Sequence, residues 1–199
     1  MRPDDAGTAL QIAFMTGRSD PARCGLSPQQ SAFLAALGGP GRRLHRLNFP
    51  YLAALDGHRP VALPLAAWRN AWQYLSSRRP AFARRHRDAV LRMLDEAPHT
   101  VLLAGSCGLE LLANLRLPPA YSRRLSVFAY GPVARGAPDC RRLLCVRGRR
   151  DGISLRGFRG RAETVEGGHM DYLRSDEVRA LCERFVQRVA DAEATCAST

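Results

Sequence analysis

Lysine is absent from this sequence, and all 30 of its basic side chains are arginines. Against 18 acidic residues they give a formal net charge of +12, a value that suits binding to a phosphate backbone. The arginines nevertheless fall as scattered pairs, without the interleaved aromatic residues that stack on bases. Because alanine and leucine are also abundant, the arginine excess indicates a GC-rich coding bias. Nucleic acid is therefore not the expected partner.

Long apolar runs, an export signal and clustered metal ligands are also missing. The longest purely apolar stretches, such as 101–104, are far shorter than the roughly 20 residues that cross a bilayer. The first eight residues carry two carboxylates where a secretory signal needs positive charge and then an apolar run. The six cysteines form neither a Cys-x-x-Cys pair nor a zinc-type cluster with histidine. We expect a cytoplasmic protein with reduced thiols, no membrane span and no metal.

What the sequence does contain is an ordinary globular composition that alternates strand and helix patterns. With 46% hydrophobic and 24% charged residues, the 199-residue chain is expected to form one domain over 1–199. Predicted strands cover 10–16, 43–49, 100–104, 125–130, 143–147 and 162–165, and predicted helices cover 28–37, 65–75, 81–96, 108–115 and 175–192. This alternation predicts an α/β fold with a doubly wound, mostly parallel sheet of about six strands. Ligands of such sheets bind at the carboxyl ends of the strands.

The turn between the strand at 100–104 and the following helix is built from small residues. Its sequence is Ala-Gly-Ser-Cys-Gly, with Ala104 two positions before Ser106 and Gly108 two positions after it. A strained nucleophile turn needs small residues at those two positions, whereas a turn centred on Cys107 would place Leu109 where a small residue is required. Ser106 is therefore the expected nucleophile. A turn of this composition can also bind phosphate at a helix N-terminus, or its small residues can serve close packing alone.

Two later segments, together with this turn, resemble the α/β-hydrolase superfamily. After the strand at 143–147, Gly148-Arg-Arg-Asp151-Gly resembles the turn that carries the family's acid, and Gly168-His169 resembles its histidine turn. The order Ser, Asp, His is the family's order. The resemblance implies that His169 takes the proton of Ser106 and that Asp151 orients the imidazole. Asp139 and Asp171 are weaker candidates for the acid. The alternatives are a turn-forming aspartate before glycine for Asp151 and a surface loop histidine for His169.

The resemblance covers nearly the whole chain but begins at the third family strand. It implies a sheet lacking the first two family strands, in which the second and first strands of this chain adjoin the turn strand and the other three follow. Ala104 stands where the family has glycine, and Thr16 where it has histidine in its His-Gly-x motif. The implied oxyanion hole uses the N–H of Cys107 and that of Gly17 or Arg18.

The segment 51–79 is longer than a simple connection requires. Leu65, Trp68, Trp72 and Leu75 form one helical stripe within it, and Tyr51 precedes them. We expect either a lid or acyl pocket formed by Tyr51, Trp68 and Trp72, or ordinary packing of the helix on the sheet.

Taken together, the resemblance implies a serine hydrolase that cleaves an acyl ester or thioester through an acyl-serine intermediate, with no cofactor. A type II thioesterase accessory to biosynthesis and a small carboxylesterase are both compatible with the size. The substrate is then a small acyl compound, whose carrier is coenzyme A or an acyl carrier protein if the arginine pairs recruit an anion. The alternatives are an acyltransferase with the same triad and a catalytically silent binding protein of the same fold.

Overall fold

Six parallel strands form the centre of the computed structural model, which describes residues 9–51 and 57–197. They are β1 (Leu10–Thr16), β2 (Arg42–Phe49), β3 (His99–Gly105), β4 (Leu125–Tyr130), β5 (Arg142–Gly148) and β6 (Glu163–Val165). Their order in the sheet is β2-β1-β3-β4-β5-β6. The predicted six-stranded parallel sheet and the predicted strand order are thus confirmed.

Helices cover both faces of this sheet. They are α1 (Pro28–Ala36), α2 (Leu63–Ser76), α3 (Pro80–Leu94), α4 (Gly108–Leu115), α5 (Pro119–Ser122), α6 (Gly152–Gly157) and α7 (Asp176–Ala197), with a short 3-10 turn at Tyr172–Arg174. The five predicted helices are present, α7 extends past its predicted end, and α5 and α6 are additional. Both additional helices are too short for a periodic pattern to reveal.

Alternate residues of the central strands supply two separate cores. Ile12 and Phe14 of β1 pack on the α1 and α7 side, whereas Ala13 and Met15 pack on the α3 and α4 side. Every residue of β3 and β4 is buried, as expected for middle strands covered on both faces. This two-sided burial fixes the register of the sheet, because a slip by one residue would exchange the two faces.

The register brings the relevant loops together at one edge. Thr16 pairs with Gly105, Gly105 with Tyr130, and Gly148 with Val165, all at the carboxyl ends of their strands. The loops that follow β1, β3, β5 and β6 therefore emerge side by side. Among the described residues, no helix has the length and apolar composition that a membrane crossing requires.

Candidate active site

Ser106 occupies a strained turn directly after β3. Its φ is +53°, in the left-handed region that side chains with a Cβ rarely adopt, at a cost of about 1–3 kcal/mol. Its backbone is tied to the neighbouring segment, since Ser106 N–H donates to the Tyr130 carbonyl at 3.1 Å and the Ser106 carbonyl accepts from Val133 N–H at 2.9 Å. These backbone bonds offset the strain. Ser106 is half-buried, so it is not enclosed in the packed interior.

The small neighbours of Ser106 are required by contacts across the sheet. A Cβ on Gly108 would overlap the carbonyl oxygen of Met15, and a Cβ on Gly105 would overlap the Tyr130 ring. Ala104, which stands where the family has glycine, is fully buried in the strand. The steric reason for expecting small residues at this turn is therefore visible in the structure.

The structure brings the three predicted triad side chains into one hydrogen-bonded chain. His169 Nε2 lies 3.1 Å from Ser106 Oγ, and His169 Nδ1 lies 2.9 Å from Asp151 Oδ2. The Asp151 side chain is fully buried and that of His169 is 19% exposed. With a carboxylate at Nδ1, the proton of the neutral imidazole sits on Nδ1. Nε2 is then free to accept the proton of the Ser106 hydroxyl.

Both carboxylate oxygens of Asp151 are held by hydrogen bonds. Oδ1 accepts the N–H groups of Ile153 at 3.1 Å and Ser154 at 2.9 Å, which caps α6. Oδ2 accepts the Tyr172 hydroxyl at 2.5 Å in addition to His169. Burial by itself would raise the pKa of Asp151, but these hydrogen bonds and the nearby imidazole outweigh it and lower that pKa. Asp151 is therefore an ionised carboxylate at neutral pH.

Cys107, the alternative nucleophile, is unsuited to that role in this structure. Its side chain is 3% exposed, and burial raises the pKa of its thiol to about 12 although the N–H groups of Cys107 and Gly17 lie beside it and oppose that rise. A thiol in this state is protonated at neutral pH and inaccessible to a substrate. The geometry favours Ser106, as the sequence predicts.

The two residues expected to donate the second oxyanion N–H differ in what surrounds their N–H groups. The Arg18 N–H is already donated to Gln73 Oε1 at 2.6 Å, and the Gln73 amide donates back to the Arg18 carbonyl at 2.6 Å. Gly17 lies against Cys107, since a Cβ built on it would stand 2.9 Å from the Cys107 sulfur. The N–H groups of Gly17 and Cys107 thus belong to adjoining loops beside Ser106, and both lie close to the Cys107 sulfur.

The predicted pocket residues lie in two different environments. Trp68 and Trp72 of α2 stack on each other with ring centroids 6.4 Å apart, and they are 64% and 55% exposed. Packing of this stripe against the sheet, one of the two expectations, is therefore wrong. Tyr51 is 3% exposed, and its hydroxyl donates to Gln73 beneath α2. In this conformation Tyr51 is an interior residue, and only the two tryptophans remain available to a substrate.

Neither of the other two candidate carboxylates, Asp171 and Asp139, is the one that bonds His169. Asp171 Oδ2 accepts the Gly168 N–H at 2.7 Å and so shapes the turn that presents His169. Asp139 lines a cavity of about 530 Å³ with Cys140 and Arg123, away from Ser106. A further cavity of about 490 Å³ lies at the opposite edge of the sheet, between the loop at 38–42 and α7. Neither cavity is lined by a triad residue.

Four residues of this region were not singled out by the sequence. They are Tyr172, Ser154, Gln73 and Glu110. Tyr172 and Ser154 donate hydrogen bonds to Asp151, Gln73 accepts the Arg18 N–H, and Glu110 lies on α4. Glu110 is buried and accepts the Arg135 N–H at 2.9 Å, Arg135 Nε at 3.0 Å and Arg78 Nε at 3.2 Å. A carboxylate amid apolar neighbours on α4 is a sequence signal for a buried ion pair, but nothing in the sequence identifies its partners.

Comparison with solved structures identifies the fold. A protein from Klebsiella pneumoniae, provisionally assigned as a dienelactone hydrolase, superposes with a TM-score of 0.54 at 15% identity, over 97% of this chain and 90% of that one. A protein of unknown function from Agrobacterium tumefaciens gives 0.51 at 17% identity, over 92% of both chains. No protein-family model matches the sequence, and a search of curated proteins also finds no match. At this level of identity the likeness concerns the fold alone, an α/β fold with a mostly parallel six-stranded sheet flanked by helices.

Proposed function

We propose that this protein is a serine hydrolase that cleaves an acyl ester or thioester through an acyl-serine intermediate. The observation that carries the proposal is the continuous hydrogen-bonded chain Ser106–His169–Asp151 at a strained turn. A strained, half-buried serine joined to a histidine with a buried carboxylate behind it suits activation of a hydroxyl and little else. The α/β-hydrolase fold, in which each of these residues follows a strand end, supports the same assignment.

The reaction follows from the positions of these groups. As Ser106 Oγ forms a bond to the acyl carbon, its proton passes to His169 Nε2, and the carbonyl oxygen takes the negative charge. The N–H groups of Cys107 and Gly17 stabilise that charge. Collapse expels the alcohol or thiol, which takes the proton back from His169. Water then attacks the acyl-serine in the same manner, releases the carboxylic acid and restores the Ser106 hydroxyl.

A fluorophosphonate probe tests this proposal directly. We expect a covalent adduct on Ser106, no adduct in Ser106→Ala, and unchanged labelling in Ser31→Ala, whose exposed serine on α1 serves as the matched control. Failure of the folded wild-type protein to label, together with no cleavage of p-nitrophenyl esters or acyl-thioesters, would favour the catalytically silent alternative. Product analysis with water, alcohols and amines in competition separates hydrolysis from acyl transfer.

The substrate assignment rests on the surroundings of the triad. Trp68 and Trp72 are exposed on α2, which Gln73 and Arg69 fix to the loop after β1 through hydrogen bonds to Arg18 and to the Ser19 carbonyl. We place the acyl chain along these two rings, so α2 acts as a lid. Three further predictions rest on the sequence alone. The net positive charge supports coenzyme A or an acyl carrier protein as carrier, and the other two are an accessory biosynthetic role and a cytoplasmic location.

Replacing Trp68 and Trp72 together by alanine tests the lid. We expect kcat/KM for an octanoyl ester to fall about tenfold relative to the acetyl ester, the equivalent of about two buried methylene groups. The acetyl ester serves as the internal control, because its acyl chain has only one methyl group to bury against the rings. An unchanged chain-length preference in a folded double variant would rule out the lid.

A further inference from the structure

A tyrosine three positions after His169 completes the hydrogen bonding of the triad acid. The Tyr172 hydroxyl donates to Asp151 Oδ2 at 2.5 Å and accepts the Gly148 N–H at 2.8 Å. It thus shares with His169 Nδ1 the same carboxylate oxygen. Tyr172 is 4% exposed, so this arrangement is shielded from water.

The backbone around this hydroxyl has no room for extra side chains. A Cβ on Gly131 would meet the Tyr172 ring and stand 3.1 Å from Asp151 Oδ2, and Gly131 itself has φ of +53°. A Cβ on Gly148 would stand 3.3 Å from the Tyr172 hydroxyl oxygen. Two glycines from neighbouring strand ends therefore leave the space that the tyrosine fills, and its ring also packs edge-on against the His169 imidazole.

The hydroxyl is a permanent donor in this environment. Burial raises the pKa of Tyr172, and the hydrogen bond to Asp151 raises it further, while the Gly148 N–H opposes the rise only in part. The phenol therefore stays protonated. Because the Gly148 N–H polarises the oxygen, the O–H proton is held more strongly by Asp151 Oδ2.

From this geometry we infer that Tyr172 is a positioning residue that sets the basicity of His169 by sharing Oδ2 of Asp151. The inference rests on the proposed hydrolase function. A donor on Oδ2 withdraws negative charge from the oxygen that stabilises the imidazolium. The hydroxyl thereby fixes the carboxylate plane and limits the negative charge that Oδ2 presents to the imidazole.

The other charged groups near this unit are unchanged by a substitution at position 172. The positive charge of Arg147 in β5 lowers the pKa of the Tyr172 phenol, and the Asp171 carboxylate accepts the Gly168 N–H. Glu166 in the strand end before His169 pairs with Arg149 in an exposed ion pair. A change in the His169 titration on removing one hydroxyl is therefore attributable to the bond at Oδ2.

The test is Tyr172→Phe, read by histidine NMR titration of the resting protein and by the pH dependence of kcat. The resonance of His169 is identified by its absence in His169→Asn. We expect the His169 pKa to rise by about 0.5 or more and kcat at neutral pH to fall about threefold or more with KM within twofold, since half a unit of pKa corresponds to about a threefold change in proton affinity. Tyr121→Phe, which removes a surface tyrosine bond to Asp95, is the matched control and leaves both values unchanged.

A His169 pKa in Tyr172→Phe that equals the wild-type value, or falls below it, would overturn the inference. If that variant fails to fold, 3-fluorotyrosine at position 172 gives a test of opposite sign, because its more acidic hydroxyl donates more strongly and lowers the His169 pKa. An unchanged or raised value would then overturn the inference. The titration needs no turnover, so an absence of fluorophosphonate labelling refutes the proposed function while the NMR result still decides the role of Tyr172.

Discussion

Asp151→Asn is the substitution whose effect on activity the structure specifies most closely. The position of Oδ1 accepts two backbone N–H groups, from Ile153 and Ser154. An asparagine must place its carbonyl oxygen there, because its NH2 group would confront two donors. The NH2 group is then fixed at the position of Oδ2, where it faces His169 Nδ1 and the Tyr172 hydroxyl.

This orientation reverses the imidazole tautomer. Nδ1 must accept from the asparagine NH2, so the imidazole proton moves to Nε2 and points at Ser106 Oγ. The histidine can then no longer accept the serine proton. Loss of the correct tautomer in a serine–histidine–aspartate triad costs about 10⁴-fold in rate, equivalent to about 5 kcal/mol of transition-state stabilisation.

The assay compares wild-type and variant rates of fluorophosphonate labelling and of p-nitrophenyl acetate cleavage between pH 6 and pH 9. We expect both rates to fall by about 10⁴-fold while the far-UV circular dichroism spectrum is retained. Asp191→Asn on the exposed surface of α7 is the matched control for the change of charge. A folded Asp151→Asn protein within tenfold of the wild-type rate would refute the assignment of Asp151 as the triad acid.

Three other predictions concern reactivity and stability. Cys107, with its pKa raised to about 12 by burial, should resist iodoacetamide at pH 7.5 in the folded protein, as followed by mass spectrometry. Burial lowers the pKa of His99 to about 4, against the opposing charge of Glu193, so stability in urea should fall by up to about 3 kcal/mol as pH drops from 6.5 to 4. Glu110→Gln should lower the free energy of unfolding by about 2 kcal/mol, whereas Glu166→Gln should change it by less than about 1 kcal/mol.

Each of these predictions has a specific contrary result. Rapid alkylation of Cys107 in the native protein would contradict its burial. For His99, the native state binds the proton only near pH 4 whereas the unfolded state binds it near pH 6.5. The loss of unfolding free energy must therefore occur between these pH values, and it must be smaller in His99→Asn. If Glu110→Gln and Glu166→Gln lower the free energy of unfolding equally, burial of the Glu110 ion pairs does not increase their contribution to stability.

The features predictable from the sequence are those set by local pattern. Apolar runs separated by amphipathic segments predict the sheet, and the steric demands of the turn at Ser106 predict small neighbours, which the contacts of Gly105 and Gly108 explain. The carboxyl-end rule then predicts that Asp151 and His169, which follow two later strands, meet that turn. The two hydrogen bonds observed are of the kind this reasoning expects.

The unpredicted features depend on which side chains meet across the fold. Nothing in the sequence separates Arg18 from Gly17 as the second oxyanion donor, and nothing there indicates that the Arg18 N–H is donated to Gln73, 55 positions away. From the sequence, Asp151 as triad acid and Asp151 as turn-former before a glycine are alternative interpretations. The structure makes the two compatible, because Oδ1 caps α6 while Oδ2 faces His169. A carboxylate has two oxygens, and a one-dimensional pattern does not assign them separately.

The orientation of α2 shows how far an amphipathic pattern can be interpreted. Its apolar stripe predicts that one face differs from the other, but the face turned inward carries Arg69 and Gln73, which satisfy backbone groups of the loop at 18–19. Leaving these half-buried polar groups unpaired would cost about 1–3 kcal/mol each, about as much as burying a large apolar side chain contributes. The loop beside Ser106 therefore determines which face packs, and Trp68 and Trp72 are left exposed on the helix that we propose as the lid.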